Sequence, residues 1–371
     1  MTATGGQQEP RTPRGGRSVG VEEEMWLADP RTRAARAQAP EVTGRRTDGL
    51  EKELFRHQVE LTTEPHTDLG DLAADVAAQR ERAVAAAGEA GLLLVAAGTV
   101  PLPHDELVLT DDGRYRAMAQ RYGAVVRAAG TCGMHVHVQI ASPEEGVRVL
   151  DRIAPYLPVV LALSANSPFE DGRDTGHASW RSQQWARWPS AGVTEPFGDL
   201  ACYRAATEAL VRSGAARDTG MLYLPARLAA DYPTVEVRVA DVMTERRDVV
   251  VLVALVRALV ETAARDALPQ VAWRTELLRA AHWLAAREGP HGRLLHPERP
   301  YGEPAPAADV VAGVLGVVAD AAADAGDRPL LEEGVSRLLA TSGAAAQRAV
   351  HERTGRLEDV VDDLARRTAG R

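Results

Sequence analysis

The stretch Val19-Gly-Val-Glu-Glu-Glu-Met-Trp-Leu27 places three consecutive carboxylates in a short and otherwise apolar segment. Acidic residues are depleted in β-strands, so their presence here needs a physical reason. If the side chains alternate, Glu22 and Glu24 point to one face of the strand and most of the apolar side chains point to the other. We interpret the two glutamates as half of a cation site. The alternative is an ordinary water-exposed face.

Three later segments, His57–Glu64, Met134–Ile140 and Pro233–Asp241, show the same alternation. Their polar faces carry Glu60, then His135 and His137, then Glu236 with Arg238. An antiparallel sheet with helices on its apolar side would bring these side chains together on the other side. Every antiparallel sheet alternates, but converging carboxylates repel each other unless cations neutralise them. Because oxygen ligands dominate, the set suits Mg²⁺ or Mn²⁺ better than zinc.

Most of the remaining sequence has helical periodicity. Asp68 is a plausible N-cap and Gly91 a plausible end for one Ala-rich helix, and nearly everything after Thr244 is helical in pattern. Leu92–Val100 and Gly220–Pro225 are predicted as further strands. The predicted fold is therefore α+β, with a curved antiparallel sheet, helices packed on its apolar face, and a helical C-terminal part from about residue 244.

Composition predicts a disordered tail over residues 1–17, which are rich in Gly, Thr, Gln, Pro and Arg and have no apolar segment. Residues 18–371 are predicted to form a single catalytic domain. The longest apolar run, Val249–Val256, is too short to span a bilayer. Cys132 and Cys202 have no metal-binding or redox spacing, which fits a reducing cytoplasm. We therefore expect a cytoplasmic protein.

The charge balance excludes several partner classes. A formal net charge of -9 argues against nucleic acid or an anionic membrane as the main partner. Lys52 is the only lysine, and no P-loop motif is present. Phosphates or carboxylates must then be bound by arginine, backbone amides or metal. Small-molecule substrates are expected, and homo-oligomerisation is left open.

The pair His135-Val-His137 has a second interpretation, as the paired histidines of a metal-dependent amidohydrolase. Such a site normally needs further histidines and an aspartate on other strands, and the remaining histidines fall in predicted loops or helices. A single histidine on a strand is more often packed or hydrogen-bonded than a ligand. This alternative rests on His135 and His137 alone.

Six segments in a fixed order resemble one known family. They are Gly20-Val-Glu-Glu-Glu24, Gly133-Met-His-Val-His-Val138, Ser164-Ala-Asn-Ser-Pro-Phe169, Gly172-Arg-Asp-Thr-Gly176, Ser179-Trp-Arg-Ser182 and Val235-Glu-Val-Arg238. Together they resemble the carboxylate-amine ligases, also called type 2 glutamate-cysteine ligases, of the glutamine-synthetase-like superfamily. The resemblance extends over about residues 18 to 370, and several motifs in one order are more specific than any single motif.

The resemblance implies ATP-dependent amide formation through an acyl phosphate, on an antiparallel sheet that curves around ATP and Mg²⁺ or Mn²⁺. It assigns metal binding to Glu22, Glu24, Glu53, Glu60, His135 and Glu236. Glu53 comes only from the resemblance. Arg238 and Arg181 would contact phosphate or a substrate carboxylate, with Arg173 as a third candidate. The identity of the amine stays open, and a nucleotide-binding protein without catalysis remains a further alternative.

Overall fold

The computed structural model describes residues 16–44, 49–104, 107–127, 129–271 and 273–371. Its strands, in chain order, are β1 (Val19–Ala28), β2 (Leu50–Lys52), β3 (Gln58–Thr62), β4 (Leu93–Val95), β5 (Gly133–Gln139), β6 (Phe169–Glu170), β7 (Arg173–Asp174), β8 (Ala226–Leu228), β9 (Thr234–Asp241), β10 (Arg293–Leu295) and β11 (Pro304–Pro306). Seven of them form one sheet in the order β2-β3-β1-β5-β9-β8, with β4 also pairing with β1. All pairs in this sheet are antiparallel.

Helices supply the second layer. They are α1 (Ala39–Thr43), α2 (Leu69–Glu89), α3 (Gly113–Tyr122), α4 (Ala124–Arg127), α5 (Pro143–Ile153), α6 (Leu157–Ser164), α7 (Trp180–Trp185), α8 (Leu200–Arg212), α9 (Arg246–Ala264), α10 (Thr275–Glu288), α11 (Ala307–Val317), α12 (Ala319–Ala325), α13 (Arg328–Ala340), α14 (Gly343–Thr354) and α15 (Leu357–Thr368). The predicted α+β class and the helical C-terminal part are confirmed. In the described ranges, no helix is long and apolar enough to cross a membrane.

The main core lies between the apolar face of the sheet and the helices. Val21 on β1, Val136 on β5 and Val237 on β9 all belong to it and are almost fully buried. Helix α9 is buried along nearly its whole length, as expected for a helix that is apolar on every side. This packing fixes which face of each strand turns inward. A shift of one residue would move every buried valine to the other face.

Two of the predicted strands need correction. The strand predicted over Leu92–Val100 is limited to β4, because the chain turns away towards Gly98 after three paired residues. The segment Gly220–Pro225 is not a strand. It begins in a 3₁₀ turn at Thr219–Met221, and the pairing residues start later, at Ala226.

The predicted tail of residues 1–17 falls mostly on residues 1–15, which lie outside the described residues. Arg17 is described, and it is folded against the domain. Its guanidinium lies 2.6 Å from a carboxylate oxygen of Glu145 and 2.5 Å from one of Glu261. Only 8% of its side chain is exposed. Arg17 therefore belongs to the folded part of the chain, because these buried ion pairs hold that residue in place.

One carboxylate of the opening stretch lies on the apolar face of β1, among the buried side chains. Glu23 points to the helix side of β1, where it is buried and paired with Arg80 of α2 at 2.5 Å. Arg80 also donates to the carbonyl oxygens of Met243 and Thr244, at 2.6 Å each. The pair therefore joins β1, α2 and the segment after β9.

The substitution Arg80→Met should destabilise the fold strongly, because it leaves the Glu23 carboxylate buried without its cation. We expect a loss of about 3 to 5 kcal/mol in the free energy of unfolding, measured by urea denaturation. The double variant Glu23→Met with Arg80→Met is the matched control. It should lose clearly less, since no buried charge is left unpaired. Equal losses in the two proteins would contradict this account of the pair.

Candidate active site

Strand pairing brings the polar side chains of four strands onto one face of the sheet. Glu22 of β1 lies opposite His135 of β5, and Glu24 lies opposite Glu60 of β3. On the other side of β5, His137 lies opposite Glu236 of β9. The strand alternation therefore correctly predicted that these side chains share one face of the sheet.

Glu22 lies at the centre of this face. One of its carboxylate oxygens is 2.8 Å from Nδ1 of His135, and the other is 3.2 Å from Nε2 of His137. These two hydrogen bonds outweigh the opposing effect of burial and hold the pKa of Glu22 far below its usual value. Nε2 of His135 is buried without a hydrogen-bond partner among the described residues, 3.9 Å from a Glu24 oxygen.

Glu53 follows β2 in an irregular segment and reaches the same place. It lines a cavity of about 200 Å³ together with Glu22, Glu24, Glu60 and His135. The hydroxyl of Tyr115 lies 3.4 Å from a Glu53 oxygen. The structure thus places beside the other glutamates a residue that only the family resemblance had selected.

The electrostatics of this cavity show a surplus of negative charge. Burial, together with the neighbouring charge of Glu24, raises the pKa of Glu53 to about 8. Burial, followed by repulsion from Glu53 and Glu22, raises the pKa of Glu60 well above its usual value. Carboxylates in this state favour the neutral form until a cation is supplied, so the cavity is suited to hold positive charge.

The donor atoms fit divalent cations with oxygen preference. Two groups of three residues have ligand atoms within 4.8 Å of one another, namely Glu22 with Glu60 and His135, and Glu22 with His137 and Glu236. Each group has two carboxylates and one imidazole, which suits Mg²⁺ or Mn²⁺. His137, which was not included among the predicted ligands, joins the second group. Its position two residues after His135 on the same strand was the available signal.

Glu236 is surrounded by arginines. Arg238, two residues along β9, forms an ion pair with it, and Arg227 of β8 approaches its two oxygens at 2.7 and 3.2 Å. Burial opposes ionisation here, but the two guanidiniums outweigh it and lower the pKa of Glu236 to about 2. Nε of Arg238 is buried without a partner among the described residues. Sequence reasoning missed Arg227, because the pairing depends on the register of β8 against β9.

Arg181 lies in α7 and is almost completely buried. Its Nε has no hydrogen-bond partner in the part of the chain that the structure describes. The guanidinium lies against Gly133, where an added Cβ would come within 2.1 Å of Nη2. Only glycine fits at that position while Arg181 keeps its place. The central carbon of the guanidinium lies 5.2 Å from the ring centre of Trp185, within range of a cation–π contact.

Asp241, at the end of β9, holds the segments that carry Arg181. Its carboxylate accepts hydrogen bonds from the hydroxyls of Ser167 at 2.6 Å and Ser179 at 2.8 Å. The Ser167 hydroxyl in turn accepts the backbone N–H of Arg181, and Ser179 caps the start of α7. Sequence reasoning missed Asp241, because nothing in the strand pattern distinguishes it from a solvent-exposed strand end.

Arg173 is the one predicted residue that the structure does not bring to this site. It lies on β7, in a small hairpin with β6, and its side chain is exposed. It lines neither the cavity of the glutamates nor the larger cavity beside it.

The larger cavity has a volume of about 710 Å³ and lies between α7, β9 and α10. It shares Trp185, Tyr223 and Arg238 with the cavity of the glutamates, so the two meet at these residues. Trp185, at the end of α7, lines both. We call the two spaces the acidic cavity and the second cavity.

Comparison of the sequence with known families confirms the predicted resemblance. The profile of glutamate-cysteine ligase family 2 matches residues 18–363. A protein of a Nocardioides species, provisionally named glutamate–cysteine ligase 2-1, is 49% identical over 368 residues, which cover 95% of this chain and 96% of that protein. A Streptomyces avermitilis protein with the same provisional name is 45% identical, over 95% of this chain and all of that protein.

Solved structures share the fold at low sequence identity. The glutamate–cysteine ligase of Francisella tularensis, in complex with AMP, is 13% identical and superposes with a TM-score of 0.67, over 96% of this chain and 89% of that one. The ligase PafA, in complex with the ubiquitin-like protein Pup, gives a TM-score of 0.52 at 13% identity, over 95% of this chain and 72% of that one. The antiparallel sheet with its helical layer is therefore a carboxylate-amine ligase fold.

The substitution Glu60→Gln should have opposite effects on the metal-free and metal-containing protein. Gln keeps the shape and cannot ionise, so folding no longer bears the cost of protonating or burying a carboxylate at this position, and the metal-free variant should melt at a higher temperature than the wild type. The increase in melting temperature that Mn²⁺ produces should be much smaller in the variant, since a ligand is lost. Thermal melting with and without Mn²⁺ measures both effects. An unchanged response to Mn²⁺ would remove Glu60 from the cation site.

Proposed function

This chain belongs to glutamate-cysteine ligase family 2, and on that premise we propose that it uses ATP to join the γ-carboxylate of glutamate to an amine. The observation that carries the proposal is the convergence of glutamates, histidines and arginines on one face of the sheet. A hydrolase using His135 and His137 is less well supported, because both imidazoles are bonded to the carboxylate of Glu22.

The proposed reaction has two steps. A carboxylate oxygen of glutamate attacks the γ-phosphorus of ATP, the bond to ADP breaks, and an acyl phosphate forms. The amine nitrogen then attacks the acyl carbon, phosphate leaves with one former carboxylate oxygen, and one proton is released overall. No protein nucleophile is needed, so the demand on the chain is to hold several negatively charged groups together.

The side chains on this face of the sheet would meet this demand by holding Mg²⁺ or Mn²⁺, with Glu22, Glu24, Glu53, Glu60, His135 and Glu236 as the ligands. The bound cations would offset the charge of the phosphates and of the attacking carboxylate. Burial of Glu53 and Glu60, together with repulsion from neighbouring carboxylates, gives the cavity its capacity for positive charge. His137 would orient Glu22 through the bond that it makes to the second carboxylate oxygen.

The arginines would bind the oxygens of phosphate or substrate. Arg238 lies where the acidic and second cavities meet, and Arg181 lines the second cavity. Both are buried, and as residues that line these cavities they can donate guanidinium N–H groups to ligand oxygens. The AMP found in the Francisella tularensis structure supports nucleotide binding by the shared fold.

The transfer of oxygen tests this mechanism directly. With glutamate labelled with ¹⁸O in its γ-carboxylate, ATP, Mg²⁺ and an amine panel that includes cysteine, one label should appear in the released phosphate for each amide formed. Mass spectrometry of the phosphate and of the amide measures both. Phosphate without label, formed together with an amide, would exclude the acyl phosphate. Phosphate release without any amide would favour a nucleotide hydrolase instead.

The substitution Arg238→Lys should not preserve activity, because Lys offers a point charge where Arg offers a planar fork that can bind two oxygens. We expect a loss of about 2 to 4 kcal/mol in transition-state stabilisation, roughly 30- to 1000-fold in kcat/KM. Arg173→Lys is the matched control and should keep the wild-type rate, since Arg173 lies outside both cavities. If Arg238→Lys retains more than about a third of the rate, the role of Arg238 is structural.

A further inference from the structure

The second cavity is larger than the reaction at the glutamates requires. Its volume of about 710 Å³ is within the range of ligand-binding pockets, whereas the acidic cavity of about 200 Å³ is below it. A ligand in the second cavity reaches the proposed reaction centre at Trp185, Tyr223 and Arg238, which both cavities share.

The acidic face can be approached from two ends of β9. At the Thr234 end, the ring of Tyr232 is 65% exposed and lies 6.1 Å from the ring of His137. At the other end, Arg238 and Val239 line the second cavity. Phosphoryl transfer requires the attacking and leaving oxygens to be roughly in line, so the nucleotide and the carboxylate substrate lie on opposite sides of the transferred group.

This in-line geometry requires the nucleotide to enter at one end of β9 and the carboxylate substrate at the other. If the nucleotide takes the end beside the exposed Tyr232, its phosphates reach the glutamates while the rest stays towards solvent. The second cavity is then left for the acyl group and for the amine that attacks it. Arg181 and Arg238 line this cavity, and their guanidiniums suit a carboxylate-bearing substrate.

The walls of the second cavity are largely apolar. Trp185 forms part of the inner wall, Ala186 and Val193 add aliphatic surface, and Trp283 of α10 stands at the mouth with 50% of its side chain exposed. Cysteine would leave most of this surface uncovered. A larger apolar side chain would be favoured, because each additional methylene that it buries removes more apolar surface from water.

A cationic group lies at the mouth of the same cavity. Arg279 of α10 is exposed and forms no hydrogen bond or ion pair with the residues that the structure describes. Its neighbour Glu276 pairs directly with Arg274 at 3.0 Å, and Arg279 adds only a longer-range attraction to that carboxylate. The guanidinium of Arg279 is therefore available to a ligand carboxylate.

From these observations we infer that the amine substrate is an amino acid larger than cysteine, with a bulky apolar side chain, and that it binds in the second cavity between Trp185, Trp283 and Arg279. This inference rests on the proposed ligase function and deepens it by naming the amine. The amino group points inward to the acyl carbon, the side chain lies between the indoles, and the carboxylate faces Arg279.

The experiment compares amines on the full-length protein with ATP, Mg²⁺ and glutamate. The panel is cysteine, alanine, leucine, phenylalanine, and phenethylamine, which lacks the carboxylate. The KM of each amine is measured by amide formation. We expect the KM to be at least about tenfold lower for leucine or phenylalanine than for cysteine, and to rise again for phenethylamine.

Two variants test whether the preference for large amino acids arises in the second cavity. Trp283→Ala and Arg279→Gln should each raise the KM for the preferred amino acid about tenfold, with the KM for ATP unchanged. Arg287→Gln is the matched control, because Arg287 is exposed on the same helix and lines neither cavity. In Arg279→Gln the preference for phenylalanine over phenethylamine should also disappear. Melting curves verify that each variant is folded.

The outcomes separate this inference from the function on which it rests. Amide formation with a preference for large amino acids, weakened by both variants and not by the control, supports the inference. Amide formation with cysteine as the best amine, unaffected by either variant, overturns the inference and leaves the ligase function standing. If none of these amines yields an amide, and tritiated glutamate yields none with a wider amine library, both the inference and the proposed function are wrong.

Discussion

Repulsion among buried carboxylates is the constraint on which the rest of this structure depends. Glu22, Glu24, Glu53 and Glu60 converge on one cavity, and burial makes their mutual repulsion stronger than it would be in water. A fold tolerates such a set only if its framework is stabilised elsewhere and if cations are supplied. The raised pKa values of Glu53 and Glu60 are the direct expression of this cost.

The framework is stabilised on the opposite side of the same strands. Their alternating valines pack against the helical layer, with α9 at its centre, and so hold the pairing register that sets Glu22 opposite His135. The buried pair of Glu23 and Arg80 adds a polar connection between the layers. The apolar face of the sheet therefore provides the stability, and the opposite face can carry charged side chains that oppose folding.

Much of this arrangement could be predicted from the sequence, and the limits have physical causes. A period of two in side-chain direction is a local property, so the strand pattern alone is enough to place Glu22, Glu24, Glu60, His135 and Glu236 on one face. Glu53 lies in an irregular segment without a period, and only the resemblance to a family indicated it. Contacts that bring distant segments together leave no local pattern, which is why the strand predicted at Gly220–Pro225 was wrong and the roles of Arg227 and Asp241 were missed.

The close contact between Gly133 and Arg181 ties two distant positions of the chain together. A side chain at position 133 would occupy the space of the guanidinium. The backbone N–H of Gly133 also donates a hydrogen bond to Glu24, at 2.6 Å. Neither position can vary alone without disturbing the other or the carboxylate next to it. Any replacement of the glycine must therefore be accompanied by loss or relocation of the arginine.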